Sequence, residues 1–511
     1  MKKLLLISLC TLATLGAGAT DYYAAPGATG DGSSYDKPGD IVKLAANKNL
    51  KAGDKIYLED GVYMLTTGVD LKYGSGAEGN EIFIGAYPGA HPILDGSKLE
   101  YGGNNSHCLR IRKPYIHVKD ITVRYAGNKG IYACADNITL ENIDAYGNVD
   151  SGIQFKDATG CVALNCDSHA NFDYETGGLG SPDWGGNADG FADKQYTKGG
   201  NKYINCRSWD NSDDGWDLYK HVTNGTPVYF ENCITYNNSP EYYDFTDNPR
   251  AETDAAWFAS VEGKTVTTTK KVTVEMHKNH YYNNGNKNGF KIGGSKQPTD
   301  VVMYRCLAIN NTKKGFDQNY TTGNVKLYNC TGIGNYSNFN FNDDIGETVD
   351  IRNCISYKNG AWGDVFHITN FTHSSNSWDL GLEGTDADFN STDGALSTAA
   401  RNSDGTYNMP TLATLTAGSQ FIDKGEVISG YTDDVKDGKP DLGWKEYIAL
   451  APTAIKSIDN NLNGARRLNV YTMNGELVGM VADGNIDKLN LQHGMYIVKD
   501  FDSNKAVKIV K

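Results

Sequence analysis

The sequence predicts an all-β protein built from a stacked repeat, and three observations support this prediction. The 511 residues include 58 glycines, 32 tyrosines and only 13 prolines, a composition that favours turns and short strands over long helices. Cysteine preceded by asparagine recurs along the chain, and glycine followed by a large apolar residue recurs beside it. A period of about 22 to 27 residues is typical of stacked supersecondary units. We therefore expect a right-handed parallel β-helix of about ten coils, followed by a small C-terminal β-sandwich.

The cysteine column predicts a ladder inside the β-helix. Its members are Cys166, Cys206, Cys233, Cys306, Cys330 and Cys354. Ile121 and Ile143 occupy the same place in earlier repeats, and Met276 fills it after Cys233. A position shared by isoleucine, cysteine and methionine is a buried apolar position, so core packing is expected rather than a set of disulfides. The asparagines that precede the cysteines should form a ladder in the neighbouring turn, where their side chains satisfy one another and the backbone.

The glycine column carries the candidate chemistry. It consists of Gly130, Gly152, Gly190, Gly215, Gly289 and Gly315. Asp189 directly precedes Gly190, and Asp214 directly precedes Gly215. Asp213 and Asp217 stand two residues before and two residues after Gly215. Because adjacent strands lie about 4.8 Å apart, four carboxylates should converge on one outer face. Four oxygen donors without histidine or cysteine suit a hard cation, so Ca²⁺ is the first expectation, and an ion-free acidic turn face is the alternative.

Lys291 shares a column position with Asp217, two residues after its own repeat glycine. The repeat that contains Cys233 is interpreted as an intervening coil, with residues 243–245 in place of the glycine–aromatic step. On that count Lys291 lies about 10 Å from Asp217 along the helix axis, which leaves room for one sugar ring. An ordinary solvated lysine is the alternative interpretation.

The charge balance excludes one class of partner. The chain has 62 acidic and 48 basic side chains, a net charge of −14, and it has no block rich in lysine or arginine. Nucleic acid is therefore not an expected partner. A negatively charged substrate must be met by local cations or a metal ion. Lys194 and Lys220 lie near the aspartates and could pair with such a substrate, or they could be ordinary surface lysines.

Both ends of the chain are predicted to lie outside the repeat. Residues 1–19 have the charged, apolar and small-residue regions of a secretory signal, which predicts export to the medium, the cell surface or the periplasm. The β-helix is expected over residues 20–450, with residues 361–450 as an irregular cap that covers its open sheet edge. Residues 452–511 alternate like strands of a small β-sandwich.

The C-terminal segment resembles the sorting domain of type IX secretion cargo. The resemblance covers residues 452–511 and implies a partner in the outer-membrane secretion machinery. A generic β appendage or a carbohydrate-binding module is the alternative. We expect the exported protein to be a monomer.

Three segments resemble the motifs of family 9 polysaccharide lyases, which are parallel β-helix pectate lyases and rhamnogalacturonan lyases. They are residues 187–191, 212–217 and 289–291, and the likeness runs over most of residues 20–450. The resemblance implies a calcium-binding set and a lysine base, namely Asp189, Asp213, Asp214 and Asp217 for the ion and Lys291 for the base. It also implies β-elimination on the galacturonate backbone of homogalacturonan or rhamnogalacturonan I, with a 4,5-unsaturated product. A stretch of about 20 residues, 246–268, departs from the family pattern and is expected to reshape the groove.

Two other functions remain open on the residues alone. An inverting hydrolase of the polygalacturonase type would use Asp189, Asp213 and Asp214 as its acid and base. The sequence lacks the Gly-His-Gly and Arg-Ile-Lys motifs of that class, and Lys291 would have no role in it. A non-catalytic carbohydrate-binding surface protein would use the aspartates only as a structural calcium site. The lyase accounts for all five residues.

Overall fold

The chain folds into two compact units, residues 1–446 and 447–511. The computed structural model describes residues 18–448 apart from 175–177, 180, 182–183, 197, 269–270 and 436–437, and residues 467–510 apart from 473–476, 483–485, 490, 492–494 and 501–505. All but the last two residues of the predicted secretory signal, 1–19, therefore lie outside the described residues. Among the described residues, no helix is both long and apolar enough to cross a membrane.

The first unit is a parallel β-helix whose strands form three faces. The first face, called sheet 1, is one sheet of ten parallel strands, in agreement with the expected ten coils. The strands of sheet 1 are Val69–Leu71, Leu109–Ile111, Ile131–Ala133, Ile153–Phe155, Phe191–Asp193, Trp216–Asp217, Phe290–Lys291, Lys314–Asp317, Ser337–Phe341 and Val365–Phe366. Alternate side chains of these strands point into a continuous apolar core, where Phe191, Trp216, Phe290, Phe316 and Phe339 stack on one another.

The other two faces, sheets 2 and 3, belong to one twenty-stranded sheet that bends sharply along its length. Two long strands, Ile116–Arg124 and Ile138–Tyr146, run through the bend and contribute to both faces. The remaining strands of sheet 2 are Asp21–Ala24, Lys55–Leu58, Ile82–Ala86, Val162–Leu164, Lys202–Ile204, Val228–Glu231, Val301–Tyr304, Val325–Tyr328, Val349–Arg352 and Phe371–Ser374. Those of sheet 3 are Gly61–Met64, Pro92–Asp95, Asp167–His169, Arg207–Trp209, Ile234–Tyr236, Leu307–Ile309, Thr331–Ile333 and Ile355–Tyr357.

The bend between sheets 2 and 3 explains the asparagine–cysteine pairs. Asn165, Asn205 and Asn329 turn the chain with φ of 54°, 53° and 51°, a left-handed conformation that asparagine tolerates better than most residues. The next residue then points into the core, and the cysteines of the column are all buried and free. The predicted turn ladder is present in part, since Asn205 Nδ2 donates to Asn165 Oδ1 over 3.2 Å and Asn353 Nδ2 to Asn329 Oδ1 over 3.3 Å.

The place given to Met276 in the column is wrong. Residues 239–287 leave the β-helix, and Met276 packs in a separate apolar cluster that this excursion forms together with Val149, Phe172, Tyr174 and Trp184. Strand Ile234–Tyr236 pairs directly with Leu307–Ile309, so the ladder passes from Cys233 to Cys306. The excursion contains strands Tyr242–Tyr243, Thr265–Thr267, Thr273–Glu275 and Tyr281–Tyr282 and helices Arg250–Thr253 and Ala255–Val261. It is longer than the stretch 246–268 expected from the sequence.

The segment expected to cap the helix also covers its side. Two of its strands, Val365–Phe366 and Phe371–Ser374, extend the β-helix itself. Farther on, Arg401 pairs with Asp167 at 2.6 Å and the hydroxyl of Tyr407 donates to the carbonyl oxygen of Asn232. The segment also contains the 3₁₀ turns Asp386–Asp388 and Gly394–Thr398. At the other end, helix Ile41–Ala45 packs its buried face against the first strands.

The second unit contains one antiparallel sheet of four strands. In sheet order these are Leu477–Val481, Leu468–Thr472, Met495–Asp500 and Ala506–Val510, and a 3₁₀ turn spans Ile486–Leu489. Leu468, Val470, Val481 and Val498 are buried in a small core of this unit. The described residues of the unit thus form a single sheet, not the two sheets that a sandwich requires. The likeness to a type IX sorting domain stays a prediction.

Candidate active site

A ladder of buried asparagines lies behind the turn that leads from sheet 3 to sheet 1. Its members are Asn148, Asn171, Asn211, Asn238, Asn311 and Asn335, and each side-chain amide donates to the next side-chain carbonyl over 2.7–3.0 Å. Sequence reasoning missed this ladder and assigned the role to the asparagines before the cysteines. The signal was present, because each member stands five residues after a position of the cysteine column.

The asparagine ladder explains the glycine column. A Cβ atom added at any of the six repeat glycines would lie 2.7–2.9 Å from the side-chain nitrogen of a ladder asparagine. At Gly215 it would also lie 2.6 Å from the carbonyl oxygen of Gly289 on the next coil. The close stacking of coils therefore excludes a side chain at these positions. Asp189 and Asp214, which precede two of these glycines, are fixed at the edge of sheet 1 as a result.

Three of the four predicted aspartates meet at one place. Asp189, Asp214 and Asp217 are at most 2 % exposed, and one carboxylate oxygen of each lies within 4.8 Å of the others. Ser151 Oγ donates to Asp189 over 3.1 Å, and the side-chain amide of Asn288 donates to Asp214 over 2.8 Å. The backbone N–H of Tyr219 donates to Asp217 over 2.9 Å. Neighbouring coils thus orient the carboxylates of Asp189 and Asp214, and the turn after its own strand orients that of Asp217.

The fourth aspartate, Asp213, stands apart from this cluster. Its carboxylate accepts a 2.6 Å hydrogen bond from the backbone N–H of Asn286, and it is not among the three carboxylates that meet. Asn286 belongs to the segment that returns from the excursion to the Lys291 strand. The predicted convergence of four aspartates is therefore confirmed for three of them, while Asp213 holds the segment before Lys291 instead.

Lys291 lies one coil from Asp217, not two. The two residues occupy paired positions on adjacent strands, and Lys291 Nζ lies 3.0 Å from Asp214 Oδ2 and 3.4 Å from Asp217 Oδ1. The expected separation of about 10 Å is wrong. The separation is shorter than expected because the excursion 239–287 contributes no strand to sheet 1 before Phe290–Lys291. The lysine is in direct contact with the carboxylates.

The two other predicted lysines differ in their surroundings. Lys194 is buried, and its Nζ lies 2.7 Å from Asp189 Oδ2 and 3.1 Å from Asp217 Oδ2, so it is part of the cluster and not a surface lysine. Lys220 is half-buried, and its Nζ lies 5.1 Å from the centre of the Tyr219 ring.

The electrostatics of the cluster follow from burial and from the two lysines. Burial raises the pKa of Asp189 to about 7, an effect that Lys194 opposes. Burial also raises the pKa of Asp214, whereas for Asp217 the nearby Lys291 and Lys194 outweigh burial and lower the pKa. Burial alone would lower the pKa of Lys291, but the surrounding carboxylates hold it well above its usual range.

The donor set of the cluster fits a hard divalent cation. It offers carboxylate oxygens without histidine or cysteine, as calcium prefers. Asp189 Oδ1 is buried and has no hydrogen-bond partner among the described residues, so at least one oxygen is available to an ion. The ammonium groups of Lys194 and Lys291 pair with one oxygen each of Asp189 and Asp214 and with both oxygens of Asp217, so a cation would compete with them.

The fold and the site together define a parallel β-helix with an acidic cluster and a lysine on its outer face. The family of the Pel9A-like right-handed β-helix region matches residues 22–246 and 219–359, which is most of the first unit. The chain belongs to this family, and the expected handedness is confirmed.

Individual relatives agree with the family assignment. Pectate lyase L of Dickeya dadantii (strain 3937) is 29 % identical over 433 residues, which cover 83 % of this chain and 89 % of the relative. The crystal structure of pectate lyase Pel9A superposes with a TM-score of 0.66 at 26 % identity, over 85 % of this chain and 98 % of that chain. A rhamnogalacturonan lyase shares the fold with a TM-score of 0.58 at 20 % identity, over 78 % of this chain and 97 % of that chain. The chain is accordingly a polysaccharide lyase.

Proposed function

We propose that this protein is a calcium-dependent pectate lyase in which Lys291 is the base. The observation that carries the proposal is the contact of Lys291 with Asp214 and Asp217 in a buried cluster on the outer face of sheet 1. The pectate lyases among its relatives, similar over most of the chain, support the same chemistry. Galacturonate polymer is then the substrate, with homogalacturonan expected ahead of rhamnogalacturonan I.

The reaction begins with removal of the proton on C5 of a uronate sugar. That carbon is next to a carboxylate, which resists further negative charge. Calcium held by Asp189, Asp214 and Asp217 would supply the positive charge that stabilises this carboxylate as the proton leaves. The electron pair of the C5–H bond forms the C4–C5 double bond, the C4–O bond breaks, and water protonates the leaving oxygen.

The residues of the chain divide this work between them. Lys291 must be neutral to accept the C5 proton, so its ammonium must first lose a proton and its ion pairs with Asp214 and Asp217 must weaken. Lys194, which also contacts the cluster, is proposed to bind a substrate carboxylate, and Lys220 is proposed for a neighbouring one. Asp213 is the fourth ligand that the family resemblance implies, and through Asn286 it also anchors the segment before Lys291.

We further propose that the enzyme is exported as a monomer. Residues 1–19 would direct export, and residues 452–511 would address the chain to outer-membrane secretion machinery. Mass spectrometry of the protein from the culture medium tests the predicted export signal. An N-terminus after Ala19 is the expected result, and an intact Met1 on a cell-retained protein would contradict it.

The experiment that tests the activity follows the ultraviolet absorbance of the conjugated unsaturated uronate. Polygalacturonate and rhamnogalacturonan I are incubated separately, each with calcium or with a chelator. We expect a calcium-dependent rise on polygalacturonate and a loss of about 10²–10⁴-fold in rate for Lys291→Ala, the usual contribution of a general base. Lys326→Ala, which removes the same charge from sheet 2, is the matched control and should keep full activity.

The other outcomes separate the alternatives. A rise on rhamnogalacturonan I alone would reassign the substrate while keeping the chemistry. Release of reducing sugar without the absorbance would identify a hydrolase. No product in either assay, with calcium still raising the melting temperature, would identify a calcium-stabilised binding protein.

A further inference from the structure

Sheet 1 carries another cation in line with the proposed active site. The outward positions of successive strands are in register, and from the N-terminal side they are Arg110, Tyr132, Gln154, Ala192, Asp217 and Lys291. The neighbours of Arg110 in its strand, Leu109 and Ile111, point into the core, so the arginine faces outward. Four strand spacings of about 4.8 Å place it about 19 Å from Asp217 along the column.

Arg110 differs from the other arginines of the described β-helix unit in having no carboxylate partner. The paired ones are Arg112, Arg124, Arg207, Arg250, Arg305, Arg352 and Arg401. The column neighbour of Arg110, Asp70, forms its ion pair with Arg112 instead. The Nε of Arg110 is buried without a hydrogen-bond partner among the described residues. A guanidinium without a carboxylate partner keeps its positive charge available to an anion.

The guanidinium is held in place by an aromatic ring. Arg110 Cζ lies 5.6 Å from the centre of the Tyr132 ring, within the range of a cation–π contact. The same ring is 5.5 Å from Lys129 Nζ and 4.7 Å from the His107 ring. Lys129 is neutralised by Asp150 at 2.5 Å. The ring contact orients the arginine without neutralising its charge.

We propose that Arg110 binds the carboxylate of a uronate sugar several residues away from the bond that is cleaved. The identity of the polymer rests on the proposed function, and the location of the subsite rests on the register of sheet 1. A polyuronate carries one carboxylate on each sugar, and a chain that crosses the coils above the buried Gln154 and Ala192 would span the distance from Lys291 to Arg110. Arginine binds carboxylates through two parallel hydrogen bonds, which suits this position. The enzyme therefore prefers long chains to short ones.

The kinetic test compares Arg110→Ala with the parent on polygalacturonate and on trigalacturonate, which is too short to reach from Lys291 to Arg110. We expect KM for the polymer to rise about tenfold, near the low end for the loss of charge-assisted hydrogen bonding, with kcat unchanged. Both constants for the trimer should be unchanged. Arg110→Lys should recover part of the loss, and Lys326→Ala, a charge-matched control, should have no effect. An unchanged KM for the polymer, or an equal effect on the trimer, would overturn the proposal.

A binding measurement separates this proposal from the proposed activity. Retardation in gels that contain polygalacturonate is measured for Lys291→Ala with and without Arg110→Ala. Weaker retardation of the double variant supports the subsite even if the parent chain shows no lyase activity. Equal retardation of the two variants contradicts the subsite even if the parent is an active lyase.

Discussion

At the residue scale, the protonation of Lys291 depends on what neutralises the aspartates beside it. In the structure the ammonium group of Lys291 itself neutralises part of their charge, because it forms ion pairs with Asp214 and Asp217. The same carboxylates therefore oppose the neutral form of the lysine that the proposed reaction needs. A divalent cation bound to these oxygens would remove part of that opposition.

This coupling predicts how the rate depends on pH. The pKa of Lys291 is held above its usual range, so the neutral base forms only as the pH rises, and the rate should increase into the alkaline range. Less calcium leaves more carboxylate charge around Lys291 and should move the rising limb to higher pH. Initial rates at saturating polygalacturonate, at several calcium concentrations, test this. A rising limb that stays in place across calcium concentrations would contradict the coupling.

At the scale of elements, the turn before sheet 1 both holds the coils together and positions two aspartates of the proposed site. The asparagine ladder binds coil to coil, and the repeat glycines allow the coils to approach it. Asp189 and Asp214 stand directly beside two of these glycines. A change that disturbs the contact between glycine and ladder must therefore also move the carboxylates.

Gly215→Ala tests this link between stacking and the site. Its added Cβ would lie 2.5 Å from Thr235 Oγ1 and 2.9 Å from the side-chain nitrogen of Asn238, both buried. We expect a destabilisation of about 1–3 kcal/mol, typical of overpacking. We also expect a loss of lyase rate that is larger than this destabilisation when both are expressed as free energies. Gly418→Ala, where nothing lies within 4 Å, is the control and should change neither. Thermal melts and initial rates give both values. Full activity of Gly215→Ala would show that the turn tolerates the side chain.

At the scale of the whole molecule, the two units have separate cores, and only the first contains the proposed site. All residues of the proposed site and of the Arg110 subsite belong to the first unit, residues 1–446. The second unit has its own buried side chains. The activity should therefore not depend on the second unit.

Removal of residues 447–511 tests this independence. We expect the shortened chain to fold and to keep the kcat and KM of the full chain on polygalacturonate, because domains with their own cores fold as units. Export from the producing cell is the property that should be lost. Aggregation of the purified shortened chain, or a reduced kcat, would show that the second unit supports the first.

The sequence by itself determined the β-helix and the identity of most residues gathered around the site. These properties follow from local periodicity, because each coil repeats the same bend, buried position and glycine. Asp189, Asp214 and Asp217 could be placed together for this reason, since they lie on consecutive coils without interruption.

Only the tertiary structure decided how many coils separate Asp217 from Lys291, because an excursion interrupts the repeat between them. Residues 239–287 resemble a further repeat in the sequence, yet they pack in a separate apolar cluster and contribute no strand to sheet 1. That excursion brings Lys291 against Asp217 and turns Asp213 toward Asn286. The ion pairs of Lys194 join its own coil to the next one, and Arg110 lacks a carboxylate partner because Asp70 pairs with Arg112. Such contacts are set by which strands stack, and a one-dimensional pattern does not contain that information.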